Sequence, residues 1–262
     1  MTLTLVQYLL GIGSGALVGF VLGLVGGGGS ILAVPLIVYL VGVRDAHVAI
    51  GTSAFAVAAN AATGLVHHAR SGHVKWRCAG LFAVAGIAGA AMGSTLGKNF
   101  DGQRLLFLFA LVMIAVGVLM LRRRASFGNP DVKLGRENAG KLVGYGLGAG
   151  AFSGFFGIGG GFLIVPGLTA ATGMSMISAV GSSLVAVTAF GLTTALNYAL
   201  SGLVDWPLAL AFIAGGLAGS IFGTRLAKHL TKSRDRLSAV FAALIFAVAA
   251  YMLWKSYAAA WG

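Results

Sequence analysis

The chain has 262 residues, of which 58% are hydrophobic and only 9% charged, and its net charge is +12. A soluble domain carries about 25% charged residues, so the composition excludes an ordinary water-soluble protein. It also argues against a nucleic-acid binder, because the basic residues fall in short loops between long uncharged runs, where positive charge marks the cytoplasmic side of a membrane protein.

No Asp, Glu, Lys or Arg occurs in 1–43, 46–69, 78–97, 105–121, 142–204, 206–224 or 237–254. Most of these runs reach the roughly 20 apolar residues that cross a bilayer as a helix. A membrane β-barrel would show alternating segments of about 10 residues, which this chain lacks. The expected fold class is therefore an all-α polytopic membrane protein. A single cysteine, Cys78, rules out an intrachain disulfide and reads as a small packing residue.

The first predicted span covers about 3–25 and is read as a retained helix, not a signal peptide, for want of a basic leader and a clear cleavage site. Its Gly11, Gly15, Gly19 and Gly23 recur on one face, the pattern of close helix packing in membranes. The run Gly26-Gly27-Gly28-Gly29-Ser30 then breaks the helix. Residues 30–43 are apolar but span only about 21 Å as a helix, short of the roughly 30 Å hydrocarbon core. Further spans are predicted at about 46–69, 77–97 and 105–121. The first of these carries uncharged polar residues, Thr52, Ser53, Asn60 and Thr63.

Residues 122–141 hold Arg122, Arg123, Arg124, Lys133, Arg136 and Lys141 against Asp131 and Glu137, and read as a solvated linker joining two halves. Beyond them the pattern repeats. Gly157-Ile158-Gly159-Gly160-Gly161, ending at Pro166, echoes the run that ends at Pro35. Gly51-Thr52-Ser53 returns as Gly181-Ser182-Ser183, and Ser71-Gly72-x-Val74-x-Trp76 returns as Ser201-Gly202-x-Val204-x-Trp206. The offset is 130–131 over about 80 residues. The expected organisation is a first membrane repeat at 1–121, a cytoplasmic basic linker at 122–141 and a second repeat at 142–262. Each repeat holds about four long transmembrane helices plus one short or half helix after a glycine-rich break.

Loop charge predicts how the repeats are oriented. With five crossings per repeat, the loops 70–77, 122–141 and 225–236 share one side and carry 14 of the 18 Lys and Arg. With four crossings, the charge divides evenly. The positive-inside rule therefore favours two inverted repeats, with basic loops cytoplasmic and both termini periplasmic. Inverted repeats with broken helices are a transporter architecture.

Each glycine run ends where a helical segment begins, and a helix N-terminus offers free N–H groups and a positive dipole end to an anion. Glycines also let the backbone approach a ligand closely. The expected substrate-binding residues are Gly26, Gly27, Gly28, Gly29, Ser30, Thr52, Ser53 and Asn60 in the first repeat, and Gly157, Gly159, Gly160, Gly161, Ser182, Ser183 and Asn197 in the second. Thr188 and Thr193 are further candidate donors, although a hydroxyl in a membrane helix usually bonds its own backbone. With no acidic residue mid-membrane, a cation carrier with carboxylate ligands is disfavoured. The run at 23–30 lacks the lysine of a phosphate loop, and 157–160 lacks the preceding strand of a dinucleotide fingerprint.

No metal, cofactor or catalytic residue is expected. His67 and His68 read as interfacial, and Asp45 and Asp205 as loop caps, with a proton path as their alternative role. Trp76, Trp206, Trp254 and Trp261 read as interfacial anchors.

The duplicated glycine–proline motif, Ala49-Ile50-Gly51-Thr52-Ser53 and Ser71-Gly72-x-Val74-x-Trp76 together resemble the sulfite exporter TauE/SafE family of bacterial membrane proteins, over essentially the whole chain. The resemblance implies a permease of the cytoplasmic membrane for small sulfur oxyanions or organosulfur acids. Ile158 departs from the first glycine run, so the two half-sites are expected to be unequal. The expected function is a secondary transporter of a small anion, with a passive anion channel as the alternative and a membrane enzyme disfavoured. The expected partners are the anion and the lipid bilayer, with protons as a candidate coupling ion and self-association left open.

Overall fold

A computed structural model describes residues 3–25, 27–122, 129, 132, 134–159, 161–229 and 234–261. Among these the chain is all-helical apart from a single bridge between Asn129 and Met174. Helix α1 spans Leu5–Val25 and is followed by a 3₁₀ turn at Gly27–Leu32, a short α2 at Ala33–Pro35 and a π-helical segment at Leu36–Val41. Helices α3 (Ala46–Arg70), α4 (Trp76–Lys98) and α5 (Gly102–Arg122) complete the first half. The second half holds α6 (Arg136–Phe156), α7 (Gly161–Thr172), α8 (Met176–Ala199), α9 (Trp206–His229) and α10 (Arg234–Trp261).

Among the described residues six helices are long and apolar enough to cross a membrane, and the four spans expected in the first half lie within three residues of those observed. Helix α6 begins at Arg136, inside the stretch expected to be linker. Its start is fixed locally: the Asn138 side chain accepts the Gly135 N–H at 3.0 Å, and Glu137 lies in the positive first turn.

The carboxylates at the span ends are caps. Asp45 accepts the N–H groups of His47 (2.8 Å) and Val48 (3.3 Å), Asp101 that of Arg104 (3.0 Å), and Asp205 that of Leu208 (3.0 Å). Each thereby satisfies donors that a helix start leaves unpaired.

Packing between the halves is reciprocal. Helix α1 lies on α9 and α4 lies on α6. Gly15 faces the carbonyl of Phe212, and Gly19 that of Gly216; with the halves exchanged, Gly146 faces Phe82 and Gly150 faces Gly86. A methyl group at any of these four glycines would overlap the facing backbone. Glycine therefore sets the helix separation, as small residues do where helices associate in lipid.

Along both pairs the residue numbers rise together, so α1 and α9 run in one direction, as do α4 and α6. Helices α3 and α8 meet with opposite sense: Gly51 lies at Tyr198, Gly64 at Leu184, and Gly181 at His73. The short segment returns along α1, since Gly29 abuts Val21 and Leu22 while the Gln7 side chain donates to the Val41 carbonyl at 3.0 Å. Large apolar side chains such as Leu5, Leu9, Met92, Leu96, Leu210 and Phe222 are exposed on the outer faces, as a lipid-facing surface requires. Trp76 and Trp206, each the first residue of its helix, are half-exposed or more, as is Trp254 within α10.

Candidate functional site

The two glycine breaks sit inside the bundle, and they are built differently. In the first half, Gly27–Leu32 winds as a 3₁₀ helix. A Cβ at Gly29 would lie 2.6 Å from the Leu22 nitrogen, so only glycine lets this turn lie flat on α1. Ser30, Ile31, Leu32, Ala33, Val34 and Pro35 are all buried.

In the second half, α6 stops at Gly157, whose φ of 68° lets its N–H and that of Ile158 both return to the Ser153 carbonyl. Gly159 is left-handed as well, with φ 68°. A Cβ on Gly157 would collide with Ile50, and one on Gly159 would lie 2.9 Å from Val57 and 3.2 Å from Val187. Helix α7 then starts at Gly161 with Pro166 in its interior. The 3₁₀ turn of the first break packs against α7 and α8, so the two breaks are brought together at the interface between the halves. Ile158 itself is fully buried, and it stands between the two left-handed glycines, at the position where the symmetry was expected to fail.

Of the expected site residues, Gly26 and Gly160 lie outside the described residues. Gly27, Gly28, Gly29 and Ser30 lie in the 3₁₀ turn, while Gly157, Gly159 and Gly161 lie in the second break. The remaining side chains divide sharply by what they touch.

Thr52 and Ser182 form one pair of ties. The Thr52 hydroxyl accepts the Asp205 N–H at 2.9 Å, and the Ser182 hydroxyl accepts the Lys75 N–H at 2.9 Å. Next to them, Gly51 lies on the Leu203 carbonyl and Gly181 on the His73 carbonyl. The Gly-Thr-Ser motif of the first half and the Gly-Ser-Ser motif of the second therefore each dock the Ser-Gly-x-Val-x-Trp turn of the other half, forming one reciprocal clasp. Ser53 and Ser183 bond their own helices, to the carbonyls of Ile50 (3.0 Å) and Val180 (2.8 Å). Thr63, Thr188 and Thr193 do likewise.

Asn197 is spent on α4. Its amide nitrogen donates to Ser94 (2.6 Å) and Thr95 (2.9 Å), and its side-chain oxygen accepts from Lys98 at 2.7 Å. Lys98 also donates to the Asn197 carbonyl (3.1 Å) and to Ser201 (2.8 Å). This network joins residues about a hundred positions apart, and no spacing in the sequence marks it.

Asn60 differs from all of these. It is 4% exposed, and neither end of its amide has a hydrogen-bond partner. His68 lies near His73 and His67, with ring centroids 5.9 and 6.2 Å apart. Among the described residues no group of His, Cys, Asp or Glu is arranged to hold a metal ion. Cys78 is buried in the core.

The family model described as "Sulfite exporter TauE/SafE" matches residues 11–252. The chain belongs to the sulfite exporter TauE/SafE family. A protein of Xylella fastidiosa strain 9a5c named a probable membrane transporter protein is 52% identical to it over 257 residues, covering 98% of each chain. A probable membrane transporter protein of Haemophilus influenzae is 27% identical over 261 residues, covering 92% of this chain and 96% of that one. The probable membrane transporter protein YdhB of Bacillus subtilis is 26% identical over 239 residues, covering 88% and 92%. No solved structure matches the chain. As a TauE/SafE member it is a multi-pass membrane transporter, and both motifs of its clasp lie within the matched residues.

Proposed function

We propose that this TauE/SafE protein is a secondary carrier of a small anion, best suited to sulfite or an organosulfur acid, and that it works by alternating access around the two glycine breaks. The observation that carries this reading is the meeting of the two breaks at the interface between the halves, each leading into a helical segment whose first N–H groups have no intrahelical acceptor. Such backbone suits a negative ligand and needs no cationic side chain. Non-helical backbone inside a bilayer is tolerated where protein buries it or where it lines a cavity.

The two halves are read as inverted repeats. The shared direction of α1 with α9 and of α4 with α6, the opposed sense of α3 and α8, and the return of the short segment along α1 support this arrangement. With the basic loops cytoplasmic, both termini are periplasmic in a bacterial inner membrane. A rocking of one half against the other would pivot on the clasps, which hold the ends of α3 and α8 while the breaks between them change exposure. The side chains proposed to meet the anion are then Ser30 and Asn60 beside the glycine backbone. Thr52, Ser182 and Asn197 act as ties between helices. The chain has no nucleotide motif, so the drive is a membrane potential or an ion gradient, with protons as the candidate coupling ion. The role is transport, not enzymatic catalysis.

The test is tracer flux of sulfite, sulfate and taurine through purified protein in liposomes, with and without a pH gradient. Saturable movement of at least one sulfur anion, inhibited by the others, is expected. If none of these anions moves or competes, the oxyanion carrier is ruled out.

A further inference from the structure

The duplicated fold supplies an internal control for Asn60. At the offset of 130 its counterpart is Phe190, which is fully buried and stacks on Phe82 with centroids 6.2 Å apart. The glycine that packs on each is also matched: Gly216 of α9 lies against the Asn60 amide, and Gly86 of α4 lies against the Phe190 ring. The second half thus folds with an apolar residue in this slot. The first half keeps a primary amide there and leaves both of its ends unpaired, which costs stability in an apolar setting. That conclusion does not depend on which end of the amide is oxygen and which nitrogen.

Asn60 also sits one α3 turn from the second break and is linked to the first only through α9 and α1. One helical turn earlier on α3, Val57 touches Gly159 of the second break. On its other side Gly216 lies over Gly19 of α1, about one turn before the stretch of α1 that carries Gly29 of the first break.

A primary amide presents a donor and an acceptor together. A fully deprotonated oxyanion only accepts, and would leave the amide oxygen unpaired against a negative ligand. We propose that Asn60 is the selectivity residue of the anion site and that it selects an oxyanion which also carries a hydrogen-bond donor. This rests on the anion-carrier reading above. The donor has two chemical sources: a proton on the oxyanion itself, as in hydrogensulfite, or a hydroxyl or ammonium on an organosulfonate tail.

The experiment measures binding to the purified full-length protein, with equal pH throughout each titration so that no proton gradient contributes. One arm compares ethanesulfonate with 2-hydroxyethanesulfonate, which differ by one hydroxyl. The other compares sulfite with singly charged methanesulfonate, under mildly acidic conditions where hydrogensulfite dominates and mildly alkaline ones where it does not.

The wild type is expected to bind the donor-bearing anion about tenfold more tightly, as one hydrogen bond to a charged ligand allows. A preference in one arm alone identifies the source of the donor. Asn60→Leu, and Asn60→Phe with the residue that the second half already carries, are expected to bind both members of a pair equally at the weaker level. Equal binding by the wild type, or a preference that survives Asn60→Leu, overturns the assignment while the carrier stands. If the wild type binds none of these anions, it is the carrier reading that fails. Should both variants fail to fold, the wild-type comparison alone decides.

Discussion

The two halves of the molecule are alike where they pack and unlike where they break. Gly19 on Gly216 and Gly150 on Gly86 are the same contact seen twice, as are Thr52 with the Asp205 N–H and Ser182 with the Lys75 N–H. The breaks share no such identity. One is a 3₁₀ turn laid flat on α1; the other turns through two left-handed glycines beside Val57 and Val187. Asn60 against Phe190 extends the same divergence. Two copies that must dock on each other are held to matched contacts, whereas a single ligand bound between them has no need to be symmetric. The matched features are therefore scaffold, and the unmatched ones are where recognition is to be sought.

The comparison can be broken most sharply by topology. Ser71 and Ser201 occupy equivalent exposed turns, and the only native thiol, Cys78, is buried. In intact cells an impermeant maleimide is expected to label Ser201→Cys and to leave Ser71→Cys unlabelled until the membrane is opened. Labelling of both from outside would end the inverted arrangement.

Next in size are the matched glycines. Gly19→Val and Gly150→Val each drive a side chain into a facing backbone carbonyl. Each is expected to lower stability by about 3 kcal/mol or more, at or beyond the upper end of ordinary overpacking, and the two losses should be similar. Thermal unfolding in detergent measures both. A large loss for one and none for the other would show that the two helix pairs are not equivalent.

Gly159→Ala probes the unmatched break. Forcing a side chain into a left-handed conformation is expected to cost about 1–2 kcal/mol, and transport should fall by more than the folded fraction does. Unchanged flux by a well-folded variant would return the break to a packing role.

The clasp should give smaller, paired effects. Thr52→Val and Ser182→Ala each strand one backbone N–H, at about 1–3 kcal/mol. Stability is expected to drop in both while apparent anion affinity is retained, and a selective loss of affinity would place these hydroxyls at the ligand after all. The smallest effect belongs to Gly80, where an added methyl meets nothing within 4 Å. Gly80→Ala is expected to be neutral or to stabilise by up to about 1 kcal/mol through helix propensity.

The first-half spans and the breaks were legible in the sequence because charge-free length and consecutive glycines are local signals. The offset of 130 also brought Thr52 opposite Ser182. It did not disclose that each hydroxyl serves the other half's turn, since the Asp205 N–H lies 153 positions from Thr52. In the sequence Asn197 is indistinguishable from its polar neighbours, and only the fold sets Lys98, Ser94 and Thr95 around it. Conversely, nothing in the spelling of α3 distinguished Asn60 from Ser53, because whether a polar group is paired depends on which helices face it. The 3₁₀ winding of the first run and the left-handed turns of the second were equally hidden, as glycine permits both.

The most direct measurement is tracer counterflow. Liposomes holding the purified protein are preloaded with unlabelled sulfite and exposed to trace labelled sulfite outside. An alternating-access carrier returns each time with its site loaded, so labelled sulfite is expected to accumulate transiently above equilibrium, with a rate that saturates as external sulfite rises. Flux that neither saturates nor responds to preloading would mean an open anion path in place of a carrier, and no protein-dependent flux of any sulfur anion would contradict the anion site altogether.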